Sequence, residues 1–173
     1  MTNTIKKLSV FSLILFSFIF SGGMVFAATE GSIQLQGTVP AILEVTVTTE
    51  AGASSLDLSV NVADLLVGTV VERSNKKAGY TVTVESFNGN ADGVNSARFK
   101  SLDVGNPDFL DYTITYGGTP VVLSGGSALI SDVNDKTLGT GTANQVRITY
   151  DGSTAFMYED AYEDTLIFTI AAK

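Results

Sequence analysis

Three observations predict an all-β fold, and within that class a β-sandwich. Short runs alternate apolar and polar residues with a period of two, as strands with one buried face do. Between them lie "AGAS", "NGNADG", "YGGTP", "SGGS" and "GTGT", whose Gly, Asn and Asp residues supply the positive-φ conformations of tight turns. Helical periodicity is nearly absent: "VADLLVG" (62 to 68) is the best candidate and is too short to stand as a helix by itself.

The first 27 residues follow another logic. Lys6 and Lys7 precede the apolar run "LSVFSLILFSFIF" (8 to 20), and Val25 and Ala27 take the −3 and −1 positions before Ala28. That order of basic, apolar and small residues predicts a secretory signal peptide over 1–27. A spanning helix needs about 20 apolar residues, and this run is shorter. The mature chain is expected to be 28–173, one exported β-sandwich domain with no membrane span after signal cleavage.

Eight basic and eighteen acidic side chains follow Ala27, a net charge of −10. That balance argues against nucleic acid and anionic membrane as partners. The chain has no Cys, so burial and backbone pairing must stabilise it without disulfides. It also has no His, which removes Ser-His-Asp and Cys-His nucleophiles and the usual zinc and copper ligands. Paired carboxylates alone can hydrolyse glycosides, but such sites usually come with aromatic sugar platforms, and there is no Trp. The expectation is a protein that is not an enzyme and carries no cofactor.

In chain order, "SIQLQGTV" sets Ile33, Leu35 and Val39 on one parity, and "LEVTVTT" continues after Pro40 with Leu43, Val45 and Val47. "LDLSVNV" alternates Leu56, Leu58, Val60 and Val62, and "GYTVTVES" alternates Tyr80, Val82 and Val84. "DYTITYGG" places Tyr112, Ile114 and Tyr116 together, and "QVRITYDG" does so for Val146, Ile148 and Tyr150. "YEDTLIFTIAAK" closes the set with Leu166, Phe168 and Ile170, all expected to face inward, and only three residues follow Ile170.

Three polar clusters are candidate sites. "NGNADG" puts Asn88, Asn90 and Asp92 at the alternating oxygen positions of a calcium loop, but Phe99 stands where the closing Glu belongs. A hydrophilic hairpin loop is therefore expected there, and no metal. "MYEDAYED" gathers Glu159, Asp160, Glu163 and Asp164, expected as a solvated loop, and "RSNKK" (73 to 77) reads as an exposed turn.

Taken in order, "VGTVVERSNKKAGYTVTVESFNG", "DYTITYGG" and "AYEDTLIFTIAAK" resemble cysteine-free exported bacterial β-sandwich proteins of the fimbrial-subunit and spore-coat-U-like kind, over residues 67–173. The resemblance implies an immunoglobulin-like sandwich, incomplete as in pilins. It implies a structural subunit of a surface appendage or coat, located in the periplasm or at the cell surface. Such subunits lack their last strand, which a periplasmic chaperone and then a like subunit supply by strand exchange. The expected assembly positions are Ile33, Leu35, Gly37 and Val39 on the donor side and Leu166, Phe168 and Ile170 on the acceptor side. The alternative is a monomeric exported binding module that takes a sugar or another ligand with the loops at one end.

Overall fold

Strands form where apolar residues recur at every second position and a neighbouring run is available to pair with. The computed structural model describes residues 30–173, so the signal-peptide expectation lies outside the described residues. The strands are β1 (Leu43–Thr49), β2 (Asn61–Ser74), β3 (Tyr80–Ser86), β4 (Ala97–Ser101), β5 (Phe109–Tyr116), β6 (Thr119–Val121), β7 (Ser127–Val133), β8 (Thr142–Asp151), β9 (Tyr162–Glu163) and β10 (Leu166–Ala172). A 3₁₀ turn spans Ala51–Ser54, and one short helix, α1, spans Phe87–Ala91.

The larger sheet has the order β1-β2-β8-β5-β4-β9, with β6 also paired to β5, and the smaller has the order β10-β3-β7. Every ladder is antiparallel. The sheets enclose one apolar core within the compact unit Val39–Lys173. Val70, Tyr112, Ile114, Val146, Ile148 and Tyr150 enter it from the large sheet, and Tyr80, Val82 and Val84 from the small one. This is the all-β sandwich that the alternation predicts. Among the described residues, no helix is long and apolar enough to cross a membrane.

The structure assigns one segment that alternation leaves without an element and corrects two expectations. The helical candidate "VADLLVG" belongs to β2, whose register against β8 shifts between Val62 and Leu65 and again between Leu66 and Gly68. Asp64 takes φ 54° within the first shift. A bulge inserts a residue and breaks strict alternation, which leaves apolar residues at helix-like spacing. "LDLSVNV" is a strand only from Asn61 onward. The Asp57 carboxylate accepts from the Ser59 backbone N–H (2.9 Å) and hydroxyl (2.6 Å), a local turn that competes with pairing. Leu56 and Leu58 nonetheless pack against the core.

The second correction concerns "SIQLQGTV". Residues 30–42 form no helix or strand. Ile33, Leu35 and Val39 are 87%, 89% and 85% exposed. Alternation prepares a segment for pairing, but an unpaired strand leaves its backbone groups to water.

The "NGNADG" loop is more ordered than expected. It contains α1, whose N-cap Ser86 accepts from the Gly89 backbone N–H at 3.0 Å. Gly89 is required at this place, because a Cβ there would lie 2.3 Å from the Ser96 carbonyl oxygen.

Candidate functional site

The strongest candidate is a groove along one side of the sandwich, bordered by the outermost strands of the two sheets. β1 ends the large sheet and β10 ends the small one, and the two run close to each other. β10 pairs with β3 along one edge, and its other edge has no ladder partner among the described residues. Such an edge presents free backbone donors and acceptors to any extended chain.

The side chains repeat this asymmetry. On β3, Tyr80, Val82 and Val84 are at most 1% exposed. Leu166, Phe168 and Ile170 face the same interior from β10 but are only half-buried. They face inward as expected and are partly buried, on a strand whose outer edge has no ladder partner among the described residues. Between the strands opens a cavity of about 260 Å³ whose apolar wall includes Val47, Leu56, Val67, Val146, Leu166 and Phe168. The Phe168 ring rests 6.2 Å, centroid to centroid, from that of Tyr116, which fixes its inward direction.

The start of β10 is anchored by Asp164. Its carboxylate accepts from the Ser86 hydroxyl (2.6 Å), the Tyr112 hydroxyl (2.7 Å) and the Asn88 backbone N–H (3.0 Å). Phe87 N–H then donates to the Thr165 carbonyl at 2.9 Å. Burial, together with the Asp164 charge, pushes the Tyr112 hydroxyl well above its ordinary range. One end of β10 is thus fixed while its flank stays open.

The other expected positions fall as follows. Ile33, Leu35 and Val39 are exposed, and a Cβ built on Gly37 would meet nothing within 4 Å. Asp92 is committed within the chain to Lys100 (2.9 Å) and Arg98 (3.2 Å), and the Lys100 hydrogen bond holds its carboxyl below the usual range. Among the described residues, no group of three or more His, Cys, Asp or Glu side chains is placed to hold a metal ion.

"MYEDAYED" divides. Glu159, Asp160 and Glu163 are exposed, whereas Asp164 is half-buried in the anchor just described. With the 53–59 segment, Phe99 and Leu102, this stretch lines a second cavity of about 750 Å³ at one end of the sandwich. Asp57, Glu159, Asp160, Glu163 and Asp164 face it, and no basic side chain lines it.

Two polar residues with structural consequence were not found from the sequence. Glu72, 1% exposed, accepts from the hydroxyls of Tyr80 (3.0 Å), Tyr116 (2.5 Å) and Ser131 (2.6 Å) and from Asn144 Nδ2 (3.3 Å). Its parity with Val70 and Ser74 was the available signal. Asn75, inside the expected "RSNKK" turn, donates from Nδ2 to the Pro40 carbonyl (2.7 Å) and accepts from the Ile42 N–H at Oδ1 (2.7 Å). Nothing in the alternation marks it.

No protein-family model matches the chain, and no curated protein matches it.

Proposed function

We propose that the chain is a non-enzymatic structural subunit of an exported surface appendage or coat, assembled by strand exchange, as the sequence resemblance implies. In this reading the sandwich is immunoglobulin-like and lacks one strand. Residues 31–39 of a like subunit pair with the free edge of β10, and Ile33, Leu35 and Val39 fill the groove beside Leu166, Phe168 and Ile170. Gly37 passes where the groove is shallow. A periplasmic chaperone covers the same edge before assembly.

The observation that carries this reading is the half-buried inner face of β10 opposite a fully buried β3. β7, the opposite edge of the same sheet, is half-buried as well, and what sets β10 apart is the apolar cavity beside Leu166 and Phe168. The exposed alternating segment 31–39 supports it from the donor side, since fully burying an Ile or Leu side chain contributes about 1.5–3 kcal/mol. The test is deletion of residues 31–39 from the mature chain, followed by circular dichroism and gel filtration. The expected outcome is a folded monomer that forms a complex with a peptide of residues 28–40. An unfolded deletion variant, with a full-length chain that stays monomeric at high concentration, would sink the proposal.

The 750 Å³ cavity favours a second reading, a monomeric binding module that holds a ligand among its end loops. The same gel filtration separates the two, because the module needs no partner copy.

A further inference from the structure

We infer that the 750 Å³ end cavity takes an organic cation, an amine whose apolar body lies on the cavity floor and whose ammonium group meets carboxylates at the rim. This rests on the second reading, in which the cavity holds a ligand, and it does not depend on strand exchange.

The floor is apolar and the walls are tied down. Phe99 belongs to the core, Leu56, Leu58 and Met157 pack against it, and all four line the cavity. Gly152 lets its turn close on the 56–59 segment, since a Cβ there would clash with the Leu58 carbonyl oxygen. The Tyr150 hydroxyl donates to the Asp57 carbonyl at 3.0 Å and fixes the same segment from below. On the opposite wall the Tyr158 N–H donates to the Asp108 carboxylate (2.7 Å), and the Tyr162 hydroxyl donates to the Tyr158 carbonyl (2.9 Å). The Leu102 N–H joins the Ala161 carbonyl at 2.9 Å. Walls fixed in advance leave little ordering cost to binding, and the volume lies within the range of about 300–1,000 Å³ typical of small-molecule sites.

Charge complementarity names the occupant. Among the described residues, none of the five carboxylates that line the cavity takes part in an ion pair. The basic side chains are engaged elsewhere. Arg73, Arg98, Arg147 and Lys173 pair with other carboxylates, and Lys100, opposite Glu163 in the β4–β9 ladder, turns its ammonium to Asp92 at 2.9 Å. Lys76 and Lys77 precede Tyr80, at the end of β3 away from Ser86 and Asp164, and Lys136 lies beside Thr137, whose N–H donates to the Ser74 carbonyl there. Hydrogen bonds from the Ser101 hydroxyl and then from Asn106 hold the Asp160 carboxyl below its usual range, and Ser59 does the same for Asp57, so both stay charged. No three of these carboxylates are placed to hold one metal ion among the described residues, so the charge is spread along the rim. A bare ion needs convergent oxygens, whereas a cation with an extended body does not. Tyr158, 69% exposed at the same rim, adds an aromatic face that attracts an ammonium group.

The experiment uses the full mature chain and three probes that share one indole body: tryptamine, its neutral alcohol tryptophol, and the anion indoleacetate. The chain has no Trp, so indole fluorescence anisotropy reports the probe alone, whatever the assembly state. Tryptamine is expected to bind about tenfold more tightly than tryptophol, and indoleacetate more weakly than either. The advantage of the amine should shrink as salt is added. The double variant Glu159→Gln/Glu163→Gln, at two exposed positions, is expected to keep the circular dichroism of wild type and lose most of that advantage. Tyr158→Ala should weaken tryptamine about threefold. The inference is overturned if tryptophol or indoleacetate binds as tightly as tryptamine, or if the folded double variant keeps the full preference. The cavity would then still hold a ligand, and the second reading would stand. Should the double variant not fold, an amine preference unmoved by both salt and Tyr158→Ala overturns the inference instead. If none of the three probes binds, the second reading falls together with it.

Discussion

Phe168 stands opposite Val84 in the β3–β10 ladder, yet Val84 is 1% exposed while Phe168 is only partly buried. The pair therefore separates stability from assembly. Val84→Ala should cost about 1.5–3 kcal/mol, the full burial of a Val side chain. Phe168→Ala should cost about 3 kcal/mol, the low end of the 3–5 kcal/mol seen for fully buried aromatic residues, because its side chain is not completely buried. Only Phe168→Ala should weaken binding of the 28–40 peptide to the deletion variant, by about tenfold for each 1.4 kcal/mol of lost contact. Equal weakening by both substitutions would show that the groove is not the binding surface.

Glu72 joins both sheets through neutral donors: β2 supplies the carboxylate, and Tyr80, Tyr116 and Ser131 bring hydroxyls from β3, β5 and β7. Glu72→Gln replaces one acceptor oxygen by a donor, and Glu72→Leu removes both oxygens. Each buried hydroxyl left without a partner costs about 1–3 kcal/mol. The expected order of urea midpoints is wild type, then Gln, then Leu. A Leu variant as stable as wild type would mean the hydroxyls find other partners.

Much of this architecture could be read from period two, because one face of each strand meets a single core. Tyr80, Val82, Val84, Ile114, Val146 and Ile148 all lie inside as their parity requires. The failures have local causes. The bulges of β2 hid its alternation, the Asp57 turn kept residues 56–58 out of the ladder, and the alternating 31–39 segment forms no ladder among the described residues. The groove was legible only as a suspicion about the last strand. Its openness is a property of what lies beside β10, which no pattern within residues 166–172 can contain. Asn75 and Asp164 were illegible for a related reason: each acts through partners 33 or more positions away.

Asp164 is expected to matter locally more than globally. Asp164→Ala leaves the buried hydroxyls of Ser86 and Tyr112 without their acceptor, at about 1–3 kcal/mol each. The bond from Phe87 N–H to Thr165 O sits beside them, so the start of β10 should fray. Hydrogen exchange should accelerate first at residues 166–168, while β8 and β5 remain protected. Uniform acceleration across both sheets would show that the carboxylate supports the whole core instead.

The alkaline limb of stability follows from the tyrosines. Burial, then the hydrogen bond to Glu72 and its charge, push the Tyr80 hydroxyl up to about 12. Burial and Glu72 raise Tyr116 as well, and burial and Asp164 raise Tyr112. In the unfolded chain a tyrosine titrates near 10. A group whose folded pKa is raised binds its proton more tightly when folded, so its contribution is complete below pH ~10 and is lost as pH rises through the folded value. Stability should therefore fall steeply between pH ~10 and ~12, with tyrosinate absorbance rising together with the loss of β-structure. Tyr80→Phe tests this source directly. That variant loses one donor to Glu72, which lowers its stability at neutral pH, but it no longer has the proton in question. Its alkaline slope should be shallower than that of wild type. Parallel slopes would assign the alkaline loss to other groups and leave Tyr80 a structural donor only.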